Sequence, residues 1–260
     1  MSRQTNLMDL TDKTALITGG SRGLGLQIAE ALGEAGARLV ISSRKSSDLE
    51  EAKEHLNGRG VEVEWIAADN SKDDDVMRLA NDTLGILGRV DILVNNAGAT
   101  WGAPAEDYPI EAWDKVMNLN IRSVFLLTQQ VARRSMIPNH YGRIINIASL
   151  AGLRGNRIET QMTIAYNTSK GALVNFTRAL AGEWGKYGIT VNALAPGFFH
   201  SKMTAGTIES IGLDKISQRA PLNTIGDDED LKGAALLFAS DAGKYITGQT
   251  LAVDGGASAI

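Results

Sequence analysis

Short apolar runs alternate with helical patterns from end to end of the chain, and this alternation limits the possible fold more than any other feature. Residues 15–17, 38–41, 61–67, 90–94, 144–147, 189–195 and 251–253 read as strands. Between them, apolar residues recur at helical spacing, as at Trp113, Val116, Met117, Val124 and Leu127, with Asn120 on the same face. Strands that alternate with helices form a parallel sheet through right-handed crossovers, with helices on both faces. The 260 residues would allow one domain or two, but no linker and no fixed-period repeat interrupts the pattern. The expectation is a single doubly wound α/β domain of about seven strands, with ligand at the carboxyl ends of the strands.

Those ends carry Gly19, Ser43, Asp69, Asn96, Ser149 and Pro196, so the polar and turn residues converge on one edge. The first strand runs into Thr18-Gly19-Gly20-Ser21-Arg22-Gly23-Leu24-Gly25 and then a helix. Glycines let the backbone approach a phosphate, and the helix N-terminus offers N–H donors and the positive end of a dipole. The spacing is not G-x-G-x-x-G, but the place between strand and helix favours dinucleotide binding over a purely steric turn. The second strand ends in Ser42-Ser43-Arg44-Lys45, without the carboxylate that would hold a ribose 2′-hydroxyl. With Arg44 there and Arg22 in the turn, NADP(H) is expected over NAD(H). Asn95-Asn96-Ala97-Gly98 closes the fourth strand, where Asn amides can bridge neighbouring strands and Ala-Gly leaves room for a flat ligand.

Tyr166 and Lys170 stand four residues apart on a helical segment, one turn above the other. An ammonium beside a phenol favours the phenolate, so the pair could serve as a general acid/base. Ser149 lacks a surrounding G-x-S-x-G, which disfavours a hydrolase. Lys72-Asp73-Asp74-Asp75 and Asp227-Asp228-Glu229-Asp230 read as acidic helix starts matched to the dipole rather than metal sites. Residues 198–221 read as an irregular segment about the size of a lid.

Composition narrows the function classes. The chain has no cysteine, which excludes disulfides and thiolate chemistry, and a net charge of -4 gives no reason to expect nucleic acid or a membrane surface. The polar residues 1–12 lack a signal-peptide pattern and no apolar run reaches membrane-spanning length, so a cytoplasmic location is expected.

Taken together, Thr18-Gly19-x-x-x-Gly23-x-Gly25, Asn95-Asn96-Ala97-Gly98, Asn120, Ser149, Tyr166-x-x-x-Lys170 and Pro196-Gly197 resemble the short-chain dehydrogenase/reductase family, in the family's order and over residues 13–256. The resemblance implies a Rossmann-type fold and hydride transfer between a nicotinamide and a ketone or secondary alcohol. In that scheme Tyr166 is the acid or base, Lys170 lowers the Tyr166 pKa and holds the nicotinamide ribose, and Ser149 binds the substrate oxygen. Asn120, placed by Phe125 five residues on, would hold a relay water; Asn118 does not fit the pattern. Cofactor contacts would come from Gly19, Ser21, Arg22, Gly23, Leu24, Ser43, Arg44, Asp69, Asn70, Asn96, Ala97, Gly98, Pro196, Gly197, Phe199 and Ser201. Relatives are usually homotetramers packed through long helices and the last strand.

Substrate signals diverge. Residues 100–120 are similar to β-ketoacyl reductases of the family, and residues 196–204 to gluconate 5-dehydrogenases. Trp101, Met162, Phe198, Phe199 and Met203 could line an apolar pocket, and Arg154 and Arg157 could meet a carboxylate or phosphate. The preferred expectation is a ketone or 3-oxoacyl substrate. The alternatives are a gluconate- or polyol-type dehydrogenase and a non-catalytic NADP(H)-binding sensor or scaffold. Where relatives that act on acyl carrier protein carry basic residues, this chain has Asn139 and Tyr187, with Arg133, Arg134 and Lys186 nearby, so carrier-protein docking is not carried over. The stretch between Ser149 and Tyr166 is longer than in most relatives.

Overall fold

The computed structural model describes residues 6–155 and 162–260. Seven parallel strands form one sheet in the order β3-β2-β1-β4-β5-β6-β7. They are β1 (Thr14–Thr18), β2 (Arg38–Ser43), β3 (Val63–Ala67), β4 (Ile92–Asn95), β5 (Gly142–Ile147), β6 (Ile189–Pro196) and β7 (Thr250–Val253). The order reverses between β1 and β4, which opens a crevice at their carboxyl ends.

The strands read as unbroken apolar runs because both faces are covered. Ala15 and Ile17 of β1 face one core with α1 (Gly23–Glu34), α2 (Ser46–Gly58) and α9 (Lys232–Ala239). Leu16 faces the other core, with residues of α3 (Asp73–Leu87), α5 (Ser123–Val131) and α6 (Ile164–Trp184). This two-residue period sends alternate side chains to opposite layers.

A buried polar chain ties the second layer to the sheet. Asn95 Nδ2 donates to Thr128 Oγ1 at 3.0 Å and Asn146 Oδ1 at 2.9 Å; Asn146 Nδ2 donates to Thr177 Oγ1 at 2.9 Å. The bridging expected of an Asn amide is therefore made by Asn95, and it fixes α6, the helix of Tyr166 and Lys170.

Three expectations need amendment. The amphipathic helix around Asn120 is not uniformly α-helical: α4 (Ile110–Met117) passes through a π-turn, Asn118–Arg122, into α5, and a second π-turn follows at Ala132–Met136. Such turns concentrate where a side chain has a special task. Residues 198–221 are not wholly irregular, because α7 (Ala205–Ile211) and α8 (Leu213–Ser217) lie within them, separated by Gly212 at φ 91°. The acidic residues 227–230 do not begin a helix: α9 starts at Lys232, and Asp230 and Asp227 instead accept backbone N–H groups of Asp227 and Glu229. No helix among the described residues is long and apolar enough to cross a membrane.

Candidate active site

The turn after β1 is held from β4. Asn96 Nδ2 donates to the carbonyls of Thr18 at 2.9 Å and Gly19 at 3.1 Å, and Thr18 Oγ1 accepts the N–H groups of Asn96 and Ala97. Gly19 has φ 65°, and a Cβ at Gly25 would lie 2.2 Å from the Gly19 carbonyl oxygen. Only glycine lets α1 start this close to the turn. At the start of α1 no side chain caps the helix and no acid sits in its first turn, whereas α2 has Asp48 there and α3 has Asp73, Asp74 and Asp75. An uncapped N-terminus keeps its N–H donors and dipole for an anion.

This N-terminus opens on a cleft of about 830 Å³. The structure brings to its wall Gly19, Ser21, Arg22, Gly23, Leu24, Ser43, Arg44, Asp69, Asn70, Asn96, Ala97, Gly98, Tyr166, Lys170, Pro196, Gly197, Phe199 and Ser201. A dinucleotide suits this wall: phosphate donors in the middle, Asp69 and Asn70 at one end, the Pro196-Gly197 turn at the other. Two details differ from the sequence reading. Asp48, four residues beyond Arg44 in the first turn of α2, lines the cleft and pairs with Arg22 at 3.1 Å, so this end is not free of carboxylates. Phe199 lines the cleft with its ring packed in the core at 3% exposure, against Gly226. The exposed Arg44 has no side-chain partner among the described residues.

Ser149 ends the β5 connection, where its Oγ accepts the Ala151 N–H at 3.1 Å. It shares the wall of both cavities with the half-buried Tyr166. Asn120 is buried in its π-turn, with Oδ1 accepting the Ala99 N–H at 2.9 Å and Nδ2 donating to Ala99 O at 3.0 Å and Ser169 Oγ at 2.9 Å. Its amide clasps the segment after β4 onto α6.

Lys170 is buried, donates to Ile147 O at 2.6 Å, and its Nζ lies 5.6 Å from the Tyr166 ring centre. Burial lowers its pKa to about 8. Burial also pushes the Tyr166 phenol up from its ordinary value, opposed only by the Ser149 hydrogen bond. Both groups share a desolvated pocket that penalises charge on either, and the ammonium hydrogen-bonds a carbonyl, not the phenol.

A second cavity of about 460 Å³ meets the cleft at Ser149, Tyr166 and Pro196-Gly197. Phe198, Phe199, Met203 and Arg154 line it as expected, but Trp101 and Met162 do not; both are about half exposed. Arg154 Nη1 donates to Ala257 O at 2.6 Å. Arg157 lies outside the described residues. The sequence reading missed Arg219, Thr100, Ile216 and Leu222 on this wall, which no motif or spacing marks.

Comparison with known proteins agrees with this geometry. The family model described as Enoyl-(Acyl carrier protein) reductase matches residues 19–258. A gluconate 5-dehydrogenase of Gluconobacter oxydans is 35% identical, over 96% of this chain and 96% of the relative. The rhamnolipids biosynthesis 3-oxoacyl-[acyl-carrier-protein] reductase of Pseudomonas aeruginosa is 40% identical, over 95% of this chain and 96% of the relative. Among solved structures, a gluconate 5-dehydrogenase from Burkholderia cenocepacia in complex with NADP and tartrate superposes with a TM-score of 0.90 at 33% identity, covering 98% of each chain. Fold, site wall and relatives converge: the chain belongs to the short-chain dehydrogenase/reductase family, NAD(P)-dependent oxidoreductases that act on CH–OH and C=O groups.

Proposed function

We propose that this protein uses NADP(H) to interconvert a ketone and a secondary alcohol, with Tyr166 as the acid in reduction and the base in oxidation. The observation that carries the reading is the position of Ser149 and Tyr166, which stand together where the two cavities meet. A bound nicotinamide supplies or accepts hydride there. The α1 N-terminus with Ser21, Gly23 and Leu24 would hold the pyrophosphate, Asp69 and Asn70 the adenine, and Lys170 the nicotinamide ribose. Arg44, exposed and unpaired, would meet the 2′-phosphate; Arg22 would join it by leaving Asp48. Pro196, Gly197, Phe199 and Ser201 would border the nicotinamide.

Ser149 holds the substrate oxygen beside Tyr166, and the phenol delivers the proton. A phenol raised by burial stays protonated at neutral pH, the form that reduction requires. Oxidation requires the phenolate, so it is favoured as pH rises. Asn120 acts by position, fixing Ala99 against α6. The apolar wall of Phe198, Met203, Ile216, Leu222 and Ile225 supports a ketone or 3-oxoacyl substrate. A sugar-acid substrate is the second reading, supported by Arg154 and Arg219 on the same wall and by the names of the gluconate dehydrogenase relatives.

A homotetramer in the cytoplasm belongs to the same proposal. Phe125 of α5, 50% exposed, stacks edge-on with Phe176 of α6 and offers an apolar face for helix packing between copies. Light scattering that returned a monomer would remove the assembly. The function is tested by following NADPH absorbance with ketones, 3-oxoacyl thioesters and keto-sugar acids. Oxidation of NADPH by at least one class is expected; none with any class would overturn the proposal.

A further inference from the structure

Building on the carbonyl–alcohol reading above, and on its second, sugar-acid form, we propose that Arg219 is a specificity-determining residue that binds a carboxylate on the substrate and so selects a small oxo- or hydroxy-carboxylic acid. Arg219 follows α8, with its backbone N–H on Ile216 O at 3.1 Å and its neighbour Ala220 buried. Its residue is half-buried on the cavity wall, yet its guanidinium has neither an ion pair nor a hydrogen bond among the described residues. A guanidinium on a cavity wall without a carboxylate partner is free to pair with an anionic ligand. Its planar fork suits a carboxylate.

Neither carboxylate on this wall is within ion-pair distance of Arg219: Asp254 accepts the N–H groups of Gly256 at 3.0 Å and Ser258 at 2.8 Å, and Asp230 accepts that of Asp227 at 2.9 Å. Arg154 adds a second positive charge, tied to Ala257 O. Thr100 belongs to the same wall, and its Oγ1 is buried without a hydrogen-bond partner. Arg219, Thr100, Ser149 and Tyr166 share a cavity of only about 460 Å³. An anion at Arg219 and a carbonyl at Tyr166 would therefore occupy one cavity, as the two ends of a small oxo acid would.

The test uses matched pairs that differ in charge alone. 5-Keto-D-gluconate and L-sorbose differ by a carboxylate in place of a hydroxymethyl group, as do D-gluconate and D-glucitol. The wild-type chain should favour the acid by about 10- to 100-fold in kcat/KM and, with NADP+ present, in affinity by calorimetry. In Arg219→Gln the acid-to-neutral ratio should fall to within about 3-fold of one, and Arg219→Lys should restore part of it. Equal handling of both members by the wild type, or a preference that Arg219→Gln leaves intact, overturns the proposal. So does a charge preference seen only for acetoacetyl-coenzyme A over its N-acetylcysteamine thioester, which would put a phosphate at Arg219. Calorimetry needs no turnover, so acid binding that depends on Arg219 without any NADPH oxidation would refute the enzymatic reading alone.

Discussion

The two cavities that meet at Tyr166 are built by different means. The larger is walled by strand ends and the turns that follow them, each held in register by a ladder or by a side chain such as Asn96. The smaller is walled by α7, α8 and the segments around residues 150–155 and 254–257, which lie outside the strand ladders, with the isolated Phe199–Gly226 bridge beside them. The first surface is set by backbone geometry, the second by which side chains the connecting segments carry. Features shared across a fold family belong to the first kind and substrate choice to the second.

The largest predicted effect lies at the junction. Tyr166→Phe should lower kcat/KM by about 10²- to 10⁴-fold while NADPH affinity stays within about 3-fold; turnover near the wild-type level would remove the acid role. On the cleft side, Arg44→Asp should weaken NADPH over NADH by about 10- to 100-fold, read from the two dissociation constants. Equal losses would sink the 2′-phosphate assignment.

Stability separates the two walls next. Gly25→Ala puts a Cβ against the Gly19 carbonyl and should lower Tm by several degrees, for a cost of about 1–3 kcal/mol. Gly206→Ala in α7 meets nothing within 4 Å and should leave Tm within about 2 °C. If both glycines tolerated alanine equally, the contrast between a backbone-determined wall and a permissive one would fail.

The smallest effect is a pH dependence. Lys170 is held at about 8 in the folded chain against 10.5 in the unfolded one, so between these values the unfolded state binds more protons. Stability of the wild type relative to Lys170→Met should therefore rise from about pH 8 to 10.5 and be lost again as pH falls through 8. Denaturant midpoints of both proteins across that range check it; a flat difference would show that burial does not depress this lysine.

What the sequence disclosed follows the same division. The sheet and the cleft wall were legible because period-two burial, glycine turns and strand-end residues are local signals. Asp48 on that wall was not, because a carboxylate in a first helical turn looks like a dipole match until its Arg22 contact is seen. The π-turn at Asn120 left no trace in the apolar pattern, since one extra residue in a turn shifts the face without breaking it. Arg219 and Thr100 sit in connecting segments with no period and no motif, and only the folded chain shows that they share a wall with Tyr166. The relation between Tyr166 and Lys170 was legible in spacing, since four residues put them on one face, but the burial that acts on both groups is seen only in the folded chain.

A crystal structure with NADP+ bound tests the central claim most directly. The nicotinamide should lie at the junction of the two cavities, bordered by Ser149, Tyr166, Pro196 and Gly197, with the 2′-phosphate on Arg44. A nicotinamide remote from the Tyr166 hydroxyl, or a cofactor lying outside the cleft that opens at the start of α1, would contradict it.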